Sequence, residues 1–206
     1  MTTDTFSMFF ALLTVAANLF VVAALGLWVA ARRSPAWAAR LRGAAESLRP
    51  SAIGFAWVAA AVATAGSLYY SEVAHFTPCR LCWYQRIAMY PMTLLLGVAW
   101  IKRDASIRRF ALPLAIAGAL LSIYHYQLER FPAQSTVSCD LEAPCTLVWI
   151  WKFHYISIPF MALSAFALIA VLMLTLPRRG PDTLDEETTD EHEDGRTADF
   201  ATEGAR

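Results

Sequence analysis

Five stretches, at residues 6–31, 51–70, 83–101, 110–128 and 156–176, run with almost no ionisable side chain. Each is near the ~20 residues that a helix needs to cross the hydrocarbon core of a bilayer. Inside lipid only a helix or a closed barrel satisfies every backbone N–H and C=O group. The alternation of a barrel strand is missing, and so is any repeat of roughly 20 to 50 residues. A hydrophobic content of 57% in 206 residues also excludes an ordinary soluble domain. The chain therefore reads as an all-α integral membrane protein. Two ionisable residues interrupt the apolar segments, Arg86 in the third and His125 near the end of the fourth.

The first segment does not read as a cleaved signal. Its leader carries Asp4 and no Lys or Arg, and Arg32 and Arg33 follow the apolar run instead of preceding it. A retained helix is expected, followed by a basic connector at 35–50 able to form a short helix on the membrane surface. The net charge of zero hides an asymmetry, because ten of the seventeen acidic residues lie between Asp182 and Glu203. That acidic, Thr-rich tail reads as disordered and cytoplasmic. Without it the chain is basic, and the basic residues fall in alternate loops. Arg32, Arg33, Arg40, Arg42 and Arg49 occupy the first connector, Lys102, Arg103, Arg108 and Arg109 the third, and Arg178 and Arg179 the exit from the fifth segment. The intervening loops hold Arg80 in one case and Arg130 and Lys152 in the other. By the positive-inside rule the N-terminus and both cysteine-bearing loops face outward and the C-terminus is cytoplasmic.

Those outer loops carry the four cysteines, Cys79 and Cys82 in one and Cys139 and Cys145 in the other. Two thiols at Cys-x-x-Cys spacing can close a small ring and exchange electrons in twos. Cys82 is placed where the next helix begins, so the helix dipole, Arg80 and Arg86 all favour a thiolate there. Arg86, four residues on, shares a helix face with Cys82. Haem attachment is excluded, since Trp83 and not histidine follows Cys82. Zinc bound by all four cysteines stays open, although the five residues between Cys139 and Cys145 exceed the usual spacer of about two to four. A structural role stays open too, but so small a ring as Cys79 to Cys82 removes little chain entropy. An even number of cysteines on the oxidising side of a membrane favours disulfide chemistry.

The run Pro78-Cys79-Arg80-Leu81-Cys82-Trp83-Tyr84-Gln85-Arg86-Ile87-Ala88-Met89-Tyr90-Pro91 closely resembles the DsbB/BdbC family of membrane disulfide-bond-formation proteins. So does Cys139-Asp140-Leu141-Glu142-Ala143-Pro144-Cys145 with Ile156-Ser157-Ile158-Pro159, which is more similar to the BdbC branch. The resemblance spans residues 53–176. It implies a four-helix transmembrane bundle, here with one extra N-terminal transmembrane helix. Three regions follow: the extra helix and connector at 1–50, the bundle at 51–177 and the acidic tail at 178–206. It further implies a membrane quinone, ubiquinone or menaquinone, as cofactor, coupled to Cys79 and Cys82 and bounded by Arg86 and, in a weaker match, His125. Cys139 and Cys145 would face the partner, an exported thioredoxin-fold protein of the DsbA/BdbD kind; neither nucleic acid nor metal is expected. The extra helix and the tail have no counterpart in the family pattern. A vitamin K epoxide reductase-like protein is an alternative, but that family carries its Cys-x-x-Cys at the end of a later helix.

Magnitudes favour a quinone over a thiol sink. A DsbA-type oxidase sits near about −120 mV and a glutathione pool near about −220 to −260 mV, so passing two electrons from the first to the second is uphill by roughly 5 kcal/mol.

The charge asymmetry makes a topology prediction. A reporter fused after Arg109 should be cytoplasmic and one inserted at 134–138 external, as read by compartment-specific labelling; reversal of either would overturn the orientation.

Overall fold

The computed structural model describes residues 3–134 and 143–177. Six helices follow in order: α1 (Thr3–Ala31), α2 (Pro35–Leu48), α3 (Ala52–Leu68), α4 (Arg80–Lys102), α5 (Arg108–Arg130) and α6 (Ile158–Thr175). Among the described residues the only strand-like pairing is a lone bridge between Lys152 and Ile156. The protein is thus an all-α bundle whose long helices coincide with the five apolar segments to within a few residues. Helical stretches Thr3–Ala31, Pro35–Val73, Ala105–Arg130 and Ile158–Thr175 are long and apolar enough to cross a membrane, which fits a multi-pass membrane protein. Although α4 has 23 residues, it is not among them. Gln85, Arg86 and several aromatic residues lower its mean hydropathy, so the departure marks where the chain trades apolarity for chemistry.

Local signals explain the boundaries. The basic connector does form a helix, α2, which starts on Pro35 and buries no residue. At its C-terminal end α3 widens into a π-helical turn, Tyr69–Val73, that buries Tyr70. The left-handed Arg103 ends α4 (φ 53°), and Asp104 then accepts the Ser106 backbone N–H at 2.8 Å to start the turn into α5. Positive φ at Phe153 and His154 closes the reversal between Lys152 and Ile156 just before α6.

The core follows membrane rules. Lipid attracts apolar side chains as well as another helix does, so close backbone approach through small residues supplies the packing gain. Ala52, Ala56 and Ala60 of α3, Ala88 and Ala99 of α4, and Ala111 and Ala115 of α5 are all buried. Large apolar residues such as Leu19, Val22, Leu94 and Ile101 stay exposed, where acyl chains would cover them. Among the described glycines the closest approach joins α5 to α6, where a Cβ on Gly118 would sit 2.4 Å from the Phe166 ring. Thr64 and Thr93 share a hydrogen bond of 2.9 Å between α3 and α4.

No side chain fits at Gly118 unless Phe166 moves. Gly118→Val should therefore destabilise the folded protein by about 1–3 kcal/mol, the usual cost of overpacking. Adding Phe166→Ala to that variant should recover part of the loss. Unfolding in detergent followed by circular dichroism checks both; an unchanged midpoint in the single variant would contradict this account.

Candidate active site

The start of α4 and the end of α5 converge on one sulfur. Cys79 is the N-cap of α4 and its Sγ accepts the Cys82 backbone N–H at 3.3 Å, so a sulfur takes the place usually held by a Ser or Asp oxygen. The 79-to-82 spacing then brings the two sulfurs within 3.0 Å as free thiols. From α5, His125 Nε2 lies 3.6 Å from the Cys79 sulfur, and Nδ1 faces the Gln85 side-chain nitrogen at 3.5 Å. When the Gln85 amide donates to Nδ1, the ring proton sits on Nε2 and points at the sulfur. Both Gln85 and His125 are buried. The helix start thus stabilises Cys79 directly, where spacing alone had pointed to Cys82. The thiol of Cys82 donating to it holds the Cys79 sulfur far below the ordinary thiol range, at about 4, with His125 adding to the effect and burial opposing it.

Arg86 occupies the inner flank of the same turn. Its Nε donates to Ser67 Oγ at 2.9 Å and its Nη2 to the Ser67 carbonyl at 3.1 Å, while the guanidinium stands 5.1 Å from the centre of the Trp83 ring. Tyr90 also donates to Ser67 Oγ, at 3.3 Å. This two-point grip to α3 holds the charge in place, unlike a side chain free to snorkel to an interface. Arg86, Cys82 and Gln85 together line one end of a cavity of about 590 Å³ between α1, α3, α4 and α6 whose remaining walls are mostly apolar. Cavities of roughly 300–1,000 Å³ with a few convergent polar groups are typical of sites for apolar small molecules.

On the other side, Cys79 packs with Leu81, Leu128 and Cys145 in a small core of its own. Cys145 is 2% exposed and disulfide-bonded. Cys139 lies outside the described residues. Cys79, Cys82 and His125 place three donor atoms within 4.8 Å of one another, a set able to hold a metal ion, but the disulfide removes Cys145 from any four-cysteine site. Sequence reasoning brought together Cys79, Cys82 and Arg86, and His125 by resemblance. It missed Gln85 and Ser67, which orient His125 and Arg86. Gln85 stood inside the quoted run; Ser67 carries no sequence signal, since only the α3–α4 packing aims it at Arg86.

A reduced dithiol set between a third, disulfide-bonded cysteine and an apolar cavity, in a membrane helical bundle, defines a thiol redox site. Residues 49–176 match the family described as disulfide bond formation protein DsbB. Disulfide bond formation protein C of Bacillus subtilis is 47% identical over 121 residues, which cover 58% of this chain and 88% of that protein. A probable disulfide formation protein of Oceanobacillus iheyensis is 48% identical over 127 residues, covering 59% and 86%. One from Coxiella burnetii is 37% identical over 129 residues, covering 62% and 88%. No solved structure matches. The chain belongs to the DsbB family.

The Cys79 geometry sets a pH dependence. Thiolate should be present above about pH 4 and lost as pH falls through that value. Ultraviolet absorbance of the thiolate measures it. Cys82→Ala, which removes the largest stabilising contact, should move the midpoint up the most, and His125→Ala less; a wild-type midpoint in the ordinary thiol range would contradict the assignment.

Proposed function

We propose that the protein is a membrane thiol–disulfide oxidoreductase that reoxidises an exported thioredoxin-fold dithiol protein and delivers the electrons to a membrane quinone. One observation carries this reading: the Cys79/Cys82 dithiol touches Cys145 through a shared core on one side and opens through Cys82 onto the apolar cavity on the other. Electrons entering at one face can leave at the other without a diffusing thiol.

The exchange balances as follows. A reduced partner attacks the disulfide that contains Cys145, taken by family resemblance to be shared with Cys139. The partner leaves as a disulfide and the pair is left as two thiols. That pair in turn reduces a Cys79–Cys82 disulfide, which breaks as the outer one re-forms. Reoxidation of the inner dithiol releases two electrons and two protons, and a quinone held beside Cys82, Gln85 and Arg86 would supply the two-electron acceptor for them.

The residues fit such a group. The apolar walls suit a prenyl tail, and the polar end formed by Cys82, Gln85 and Arg86 suits a ring with two oxygens. Held by Ser67 on α3, Arg86 presents a fixed positive charge where an acceptor oxygen gains negative charge, an arrangement needing no reorganisation. His125 keeps a proton on Nε2 beside Cys79, favouring the thiolate as the form that reacts. Excluding water from the buried Cys79 limits side reactions with small oxidants. The outward placement of both pairs, with a cytoplasmic C-terminus, completes the scheme by giving the partner access from the exported side. The three regions at 1–50, 51–177 and 178–206 would then be an added helix and connector, the redox bundle, and a tail outside the chemistry.

A second reading rests on the Cys79, Cys82 and His125 donors as a metal site. One assay separates the two. Purified protein supplied with a reduced thioredoxin-fold protein and decyl-benzoquinone should consume quinone with loss of partner thiols at one quinone per dithiol. Arg86→Lys keeps the charge but loses the two-point grip on Ser67, so turnover should fall about 100-fold while the protein still inserts. No turnover with any quinone, together with stoichiometric zinc lost in Cys79→Ser, would replace this reading with the metal site.

A further inference from the structure

The cavity beside Cys82 has a wall that the family region does not contain. Residues 49–176 supply α3, α4 and α6, but Phe10, Thr14, Ala17 and Phe20 of α1 line it too. These four recur at helical spacing and form one face of α1. Its opposite face, with Leu12, Leu19, Val22 and Leu25, is exposed. In the Bacillus subtilis relative the matched region takes up 88% of the protein, leaving fewer residues than the 29 of α1.

The helix is seated, not merely adjacent. Near its start Asp4 pairs with Lys152, Phe6 stacks on Tyr69 with ring centres 4.1 Å apart, and Tyr70 donates to Ser7 Oγ at 3.4 Å. Phe10 presses on α3 where Gly66 leaves room, since a Cβ there would lie 2.9 Å from the Phe10 ring. Further along, Asn18 donates to Ser164 Oγ of α6 at 3.1 Å. A polar pair in the middle of an apolar segment has a value in lipid that a surface pair lacks, and it fixes which face of α1 turns inward. These contacts set a depth scale. Phe10 sits at the level of Gly66, next to the Ser67 that holds Arg86; Ala17 lies about 10 Å further along at the rise of an α-helix, away from the Arg86 end of the cavity.

We propose that α1 is a structural wall of the electron-acceptor site, with Phe10 bounding the ring end and Ala17 and Phe20 enclosing the hydrocarbon tail of a prenylated quinone. The inference rests on the quinone reading above and adds what that reading leaves open: the acceptor's tail is selected by a helix outside the shared bundle. An acceptor consisting of a ring alone needs only the Arg86 end, whereas a tailed acceptor must pass between α1 and the bundle.

Two measurements test it. Ala17→Trp should fill the deep part of the cavity and raise the KM for decyl-benzoquinone roughly tenfold, within the range by which single groups alter fit in an apolar pocket. The KM for menadione, which has no tail, should change less than about twofold on the same grounds. Leu19→Trp, on the exposed face, should leave both unchanged. Independently of turnover, wild-type protein irradiated with an azido-quinone bearing its reactive group on the tail should be labelled on the α1 peptide as well as on α3 or α6. Unshifted KM values in Ala17→Trp, or label absent from α1, would overturn the role of α1 while leaving quinone reduction intact. A wild-type protein that reduces neither quinone would instead remove the reading on which the proposal stands.

Discussion

The Cys79 sulfur lies at the first turn of α4, accepts the Cys82 backbone N–H and faces His125 of α5, so a single atom ties two helices and the second thiol together. A buried anion is costly unless hydrogen bonds and opposite charge compensate it. Here the helix end, the neighbouring thiol and the imidazole do so at once. The imidazole contact requires α4 and α5 to meet at a fixed depth, which the buried alanines allow by letting the backbones approach closely. The chemistry of the site therefore depends on helix packing well beyond the cysteines themselves.

The same economy governs Arg86. A guanidinium inside a bundle needs acceptors, and α3 supplies both in one residue, through the hydroxyl and the carbonyl of Ser67. Its charge is thereby held at the cavity wall and not drawn toward water. The cavity has a polar end and an apolar remainder because Cys82, Gln85 and Arg86 all fall in the first two turns of α4, beyond which Met89 restores an apolar lining. Membership in the DsbB family fits thiol exchange at the Cys79/Cys82 dithiol, and the apolar cavity beside Cys82 is the place proposed for the acceptor.

Helix positions were legible because hydropathy is a property of each segment alone. In lipid a run of about 20 apolar residues has hardly any alternative to a helix, so chain-local information suffices. For the same reason the Cys79 and Cys82 pair and the nearby Arg86 could be read directly, since three- and four-residue separations are set by helix geometry. The basic connector at 35–50 reads from the sequence as able to form a short helix, and α2 is that helix.

What only the tertiary structure decided are the relations between distant residues. Whether Cys79 or Cys82 is the stabilised sulfur depends on His125, 46 residues away, and on which of the two caps α4. That Cys145 shares a core with Cys79, that Ser67 holds Arg86, and that α1 turns Phe10 and Ala17 toward the cavity also depend on contacts between helices. Hydropathy cannot encode these, because all sides of a membrane helix are apolar and a protein-facing side differs from a lipid-facing one only in shape. Gly66, Gly118 and the buried alanines select the partners by permitting close approach, and that selection exists only once the helices are assembled.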